Sequence, residues 1–139
     1  MTPLVVDCSV TMAWCFEDEC DELADAVLDR LADGEAWVPS LWPLEVANVL
    51  VAAERRRRLT AADSARFIEL LMSLPIVVDD RSHERALSQV LAAARQLGLS
   101  VYDASYLELA MRLGAALATR DSQLRAAAVA AGVPVFAVK

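Results

Sequence analysis

Cysteine and histidine are scarce in this chain. It has three cysteines, Cys8, Cys15 and Cys20, and one histidine, His83, with no C-x-x-C pair among them. This excludes the usual zinc sets and leaves the thiols as buried or idle groups. A Cys8 nucleophile with His83 as its base has no supporting motif. No uninterrupted apolar run reaches the roughly 18 to 20 residues of a membrane span, so no membrane association is expected. The first ten residues, MTPLVVDCSV, have no basic segment and carry Asp7 where a signal peptide is apolar, which makes a cytoplasmic location the expectation. Linker-like stretches are absent as well. Positive charge is the last shortage. A net charge of −7 and a pI near 4.6 exclude a protein that clings to nucleic acid through broad electrostatics. Any RNA or DNA must be gripped locally.

Apolar residues, by contrast, are abundant. They make up 57% of the chain, with a mean hydropathy of +0.38. This is more than one small core consumes, so a subunit or partner interface is expected beside the core. The length of 139 residues fits a single domain spanning 1–139. Residues 4–8 (LVVDC), 36–39 (AWVP), 76–79 (IVVD), 115–119 (AALAT) and 133–138 (VPVFAV) read as strands. Between them, helices are expected up to Phe16, over 21–31, and around Glu45, the last with Ser40 as cap, Pro43 in its first turn and the ERRRR run at its end. Others follow over 60–74 with a capping-box spacing from Thr60 to Asp63, from Ser82 to Gly98, from Ser100 to Gly114, and over 122–131. Apolar strands without strict alternation, interleaved with helices, indicate the α/β class: three α/β/α layers around a central, mainly parallel sheet. Ligands of such sheets gather at the carboxyl ends of the strands, beside helix N-termini.

Four isolated carboxylates fall where that rule points. Glu45 is the one charge in residues 38–53, a stretch whose apolar character makes a lone carboxylate costly without a cation, a donor or solvent. Asp7 ends the first strand and is the one charge in residues 1–16. Asp103 is the one charge between Arg95 and Glu108, and Asp121 follows the strand that ends at Thr119. Each aspartate also has a capping reading: Asp7 for the helix after it, Asp103 as the acid of a Ser100-x-x-Asp103 box, Asp121 as N-cap of the last helix. Together they form a different object. Four carboxylates at close quarters repel unless protonated or bridged, and a hard divalent ion such as Mg2+ or Mn2+ favours an all-oxygen shell. Such an ion keeps open positions for phosphate oxygens and activates water, the chemistry of a metal-dependent phosphohydrolase.

The segments VVDCSV at 5–10, PLEVANVL at 43–50, SVYDASYLELA at 100–110 and LATRDSQL at 117–124 resemble, in order and context, the motifs of PIN-domain ribonucleases, specifically VapC-type toxins of toxin–antitoxin pairs. The resemblance covers nearly the whole chain. It implies a PIN-like fold and a metal site on Asp7, Glu45, Asp103 and Asp121, with Ser9 and Thr119 as supporting polar groups. It also implies RNA hydrolysis, control by a small VapB-type antitoxin, and a homodimer.

Two rival readings differ in their residues. A phosphatase of the haloacid dehalogenase type also begins with a strand ending in Asp but wants a second acid two residues on, where this chain has Ser9. A catalytically weak binding module would use the acidic crevice only to receive a basic segment of a partner. The run Arg55 to Arg58 reads either as a local phosphate grip or as solvated cations at a helix C-terminus, where they favour the macrodipole. Four successive arginines point around a helix and cannot all face one ligand. Asp79 and Asp80 end a strand and are left out of the site. Trp14, Trp37 and Trp42 read as core or interface.

Overall fold

The computed structural model describes residues 2–19 and 21–138, so Cys20 lies outside the described residues. Four short strands, β1 (Leu4–Val6), β2 (Ala36–Val38), β3 (Ile76–Val78) and β4 (Ala116–Ala118), form one sheet in the order β3-β2-β1-β4. All pairings are parallel, with Leu4 level with both Ala36 and Ala116. Around the sheet pack α1 (Cys8–Ala13), α2 (Glu22–Leu31), α3 (Trp42–Arg55), α4 (Ala61–Ser73), α5 (Ser82–Arg85), α6 (Leu91–Leu97), α7 (Val101–Leu113) and α8 (Ser122–Ala130). This is the three-layer PIN-like architecture. Among the described residues no helix is long and apolar enough to cross a membrane.

The lack of strict alternation in the strands has a direct cause. In β1, Val5 faces one core with α3 and α7, while Leu4 and Val6 face a second core with α2, so every residue is buried. The first core contains Trp42, Leu50, Phe67, Tyr106 and Leu107; the second contains Val10, Val27 and Leu31. Helix α7 is buried from Ala104 to Ala110 and runs through the middle of the first core. Two tryptophans anchor helices through their indole N–H: Trp42 donates to Thr11 Oγ1 at 3.0 Å, and Trp14 to the Ala24 carbonyl at 2.9 Å.

Most expected helix starts are present. Asp7, Asp21, Ser100 and Asp121 cap α1, α2, α7 and α8, and Thr60 with Asp63 makes the full capping box. Three expectations need correction. Ser40 does not cap α3; its hydroxyl donates instead to the Asp79 carbonyl at 2.7 Å, tying the ends of β2 and β3 together. Residues 133–138 do not form a strand but make one bridge, Leu117 to Val135, because Pro134 has no N–H for a ladder. The Ser82 to Gly98 stretch is interrupted by a wider π turn at Ala86–Val90 before continuing as α6.

A buried ion network, not foreseen from the sequence, holds β3 to α7. The Arg112 guanidinium donates to both oxygens of Asp79, at 3.2 and 2.9 Å, and its Nε donates to Glu108 at 3.0 Å. Arg85 closes a second pair on Glu108, and Ser82 Oγ donates to Asp79 at 2.6 Å. The Arg112 bonds, followed by that of Ser82, hold the Asp79 carboxyl below its ordinary range. Both carboxylates are almost fully buried, so removing the cation strands them. Arg112→Met is expected to cost about 3 kcal/mol at neutral pH by chemical denaturation. Because Asp79 is depressed in the folded parent, its contribution is present above the unfolded value and is lost as pH falls. The deficit of the variant should therefore narrow below about pH 4.

Candidate active site

The sheet order brings β1 and β4 side by side while β2 and β3 lie on the other side of β1, so the switch point is the crevice after β1 and β4. The Asp7 amide donates to the Ala118 carbonyl at 3.1 Å and carries the pairing to the strand ends. Asp7 is 4% exposed. Its Oδ1 accepts from Ser9 Oγ at 2.6 Å and from the Val10 amide at 3.1 Å, and its Oδ2 accepts from Thr119 Oγ1. Ser9 Oγ also accepts the Arg120 amide at 3.1 Å and Thr119 Oγ1 the Asp121 amide at 3.0 Å, which leaves each hydroxyl proton free to point to Asp7. The loop 119–121 thus reaches Asp7 through two hydroxyl relays.

The other acids come from helix starts. Asp121 caps α8 through Oδ2, which accepts the Leu124 amide at 2.8 Å. Asp103 lies in the first turn of α7, where Ser100 Oγ accepts its amide at 3.1 Å; the return bond of a capping box is not made, and its carboxylate is left for the crevice. Glu45 lies in the first turn of α3, and its Oε1 accepts from Tyr106 OH at 2.5 Å. Tyr106 is one turn beyond Asp103 on α7, so one helix supplies an acid and the clamp on another. Tyr106 answers what receives the lone glutamate; the spacing of Asp103 and Tyr106 was visible in the sequence, but the partner, 61 residues away, was not.

Electrostatics tie the four acids together. Burial raises the Asp7 carboxyl, the Ser9, Thr119 and Val10 bonds oppose that rise, and the charge of Asp103 adds to it. Burial also raises Glu45, with Tyr106 opposing and Asp103 and Asp7 adding. Asp103 is raised by burial and by Asp121. The Cys8 thiol is pushed up to about 12 by burial, then by Glu45 and Asp7, which disfavours the thiolate that a nucleophile needs. Among the described residues, no three acidic, His or Cys side chains are closed around one metal position. The donor set nevertheless fits a hard cation: carboxylates that repel one another and two hydroxyls, all oxygen.

The raised acids have a signed consequence. A carboxyl raised in the folded state adds stability below its unfolded value, and that contribution is lost as pH rises through the folded value. Metal-free protein at neutral pH therefore carries the full repulsion. Asp103→Asn should melt higher than the parent in chelator at neutral pH, and the gap should close below about pH 4. Thermal melts across that range check both points.

The chain is similar to known proteins over most of its length. The PIN domain model matches residues 4–130. Ribonuclease VapC3 of Pyrobaculum aerophilum is 32% identical over 121 residues, covering 87% of this chain and 91% of that protein. The crystal structure of PAE2754 from Pyrobaculum aerophilum superposes with a TM-score of 0.67 at 28% identity, over 91% of this chain and 86% of that one. FitAcB from Neisseria gonorrhoeae shares the fold, with a TM-score of 0.65 at 19% identity over 96% of each chain. The match over nearly the whole length shows that this chain belongs to the PIN-domain family.

Proposed function

We propose that the protein is a metal-dependent endoribonuclease of the VapC toxin type, formed by one domain over 1–139. Asp7, Glu45, Asp103 and Asp121 would hold a divalent ion, with Ser9 and Thr119 fixing Asp7. The observation that carries this reading is the mutual repulsion of carboxylates delivered by separate elements to the switch point of the sheet. PIN-domain ribonucleases generally use a divalent metal, and the all-oxygen donor set suits Mg2+ or Mn2+. When bound, such an ion polarises a phosphodiester and lowers the pKa of water. The chain itself presents charge and geometry. The Ser9 and Thr119 hydroxyls favour the ionised form of Asp7 against its burial, and the Tyr106 phenol fixes one oxygen of Glu45 so that the other is left for a ligand.

Asp7→Asn, Glu45→Gln, Asp103→Asn and Asp121→Asn should each lower metal-dependent RNA cleavage by about 100-fold or more, the upper end of what loss of a supporting residue costs. Assays with magnesium, manganese and chelator, run beside thermal melts, test this. Cleavage at the parental rate removes that residue from the site, and a parent inactive with either metal refutes the nuclease reading.

The apolar surplus fits a partnered, cytoplasmic toxin that forms a homodimer and receives a VapB-type antitoxin. A trough of about 410 Å3 runs between α3, α4 and β3, lined by Trp42, Val46, Leu50, Ile68, Leu71 and Met72. Met72 is 83% exposed, and β3 is the open edge of the sheet. An amphipathic antitoxin helix suits such a trough, with an arginine or lysine from its extension pairing with the crevice acids. Met72→Asp should weaken inhibition by the antitoxin at least about tenfold, the loss expected for one buried apolar anchor. RNA cleavage by the free toxin should be unaffected. Titration of cleavage with the purified product of the adjacent gene measures the effect, and light scattering of the toxin alone reads the dimer.

A further inference from the structure

The acid crevice has a neighbour of opposite character. A groove of about 460 Å3 begins at Cys8 and Ser9, beside Asp7, and runs between α1 and the outer face of α3. Its floor is apolar, with Met12, Phe16, Val49 and Ala52, and its polar lining includes Asn48, Arg56, Arg58 and Arg120, with Glu19 the one acid. Asn48 lies one turn beyond Glu45 on α3, and Arg120 lies between Thr119 and Asp121, so the groove opens onto the site itself.

The three arginines are placed differently. Arg58 donates to Asp18 at 2.9 Å, and its guanidinium lies 4.2 Å from the centre of the Phe16 ring. That contact, with the ion pairs to Asp18 and Glu19, holds the guanidinium over the ring. Arg57, in the left-handed region at φ 62°, turns the chain at the end of α3; the Arg58 amide then donates to the Ala53 carbonyl at 2.9 Å, which sends Arg58 back over the groove. Arg120 pairs with Asp21 through Nε at 2.8 Å. Arg56 is exposed and has no carboxylate within ion-pair distance among the described residues. The run of four arginines is thus divided by the helix end, with two of them facing the groove.

We propose that this groove is the track for a single RNA strand leading away from the scissile bond, with Arg56 and Arg120 holding phosphates and Arg58 presenting its face to a base. The inference rests on the ribonuclease reading above. Its physical need is plain: in a chain of net charge −7, phosphates next to the reacting one meet acids that the metal does not cover. At physiological salt, screening over about 8 Å makes the nearest charges decisive. Cations beside the crevice are therefore what a polyanion requires, and an apolar floor suits unstacked bases.

The test compares the parent, Arg56→Ala, the Arg56→Ala Arg120→Ala double variant and Arg66→Ala, an exposed arginine on α4 that removes the same charge away from the groove. Binding of a short mixed-sequence single-stranded RNA is followed by fluorescence anisotropy in chelator at several salt concentrations, and cleavage kinetics are measured with magnesium. Arg56→Ala should raise Kd and KM several-fold with kcat little changed, and should lower the salt slope by about 0.7 for the lost phosphate contact. The double variant should lose roughly twice that slope, while Arg66→Ala should match the parent. If both groove variants match a parent that binds and cleaves RNA, the track is overturned and the nuclease reading stands. If instead they keep RNA affinity and lose only the antitoxin, the groove belongs to the protein partner and the inference also fails. A parent with neither binding nor cleavage overturns both.

Discussion

Everything at the site depends on holding one buried carboxylate, Asp7, ionisable at the seam between β1 and β4. Burial pushes its pKa up. Two hydroxyls, each oriented by a backbone amide of the 119–121 loop, donate to its two oxygens. The same residue caps α1 through the Val10 amide. Strand pairing, helix start and crevice charge thus meet in one residue. Asp121 repeats the pattern at α8.

The protein contains two acidic clusters that the same residue types treat oppositely. Asp79 and Glu108 are as buried as Asp7, but Arg112 and Arg85 neutralise them, and Asp79 is held low as a result. That arrangement fastens β3 to α7. At the crevice, among the described residues, no arginine is paired with Asp7, Glu45 or Asp103, and each is raised, in part by its neighbours. Partnered charge stabilises the fold, whereas the crevice acids repel one another. Helix α7 serves both, with Asp103 and Tyr106 toward the crevice and Glu108 and Arg112 toward the network.

Charge is also divided along α3. Its first turn carries Glu45 into the crevice, and its C-terminal end delivers Arg56 and Arg58 to the adjoining groove. The helix therefore spans from a region suited to a cation to one suited to an anion. This local division is how a chain that is acidic overall can still present a basic surface beside its acids.

Much of this was determined by the sequence alone. Apolar strands interleaved with helices required a covered parallel sheet; isolated charges in apolar stretches singled out Asp7, Glu45 and Asp103, because an unpaired carboxylate in such surroundings demands a reason, and its place after a strand singled out Asp121. Caps were legible because their bonds span three residues. Tertiary structure alone decided the bonds between residues distant in the chain: Tyr106 on Glu45, Thr119 on Asp7, Arg112 on Asp79, and Ser40 on the Asp79 carbonyl in place of a cap. It also decided the failure of 133–138 as a strand, since a ladder needs donors in register on a neighbouring strand and Pro134 has none to offer. Local pattern encodes what a residue needs within one turn or one strand; which distant group meets that need is set only when the sheet order brings chain ends together.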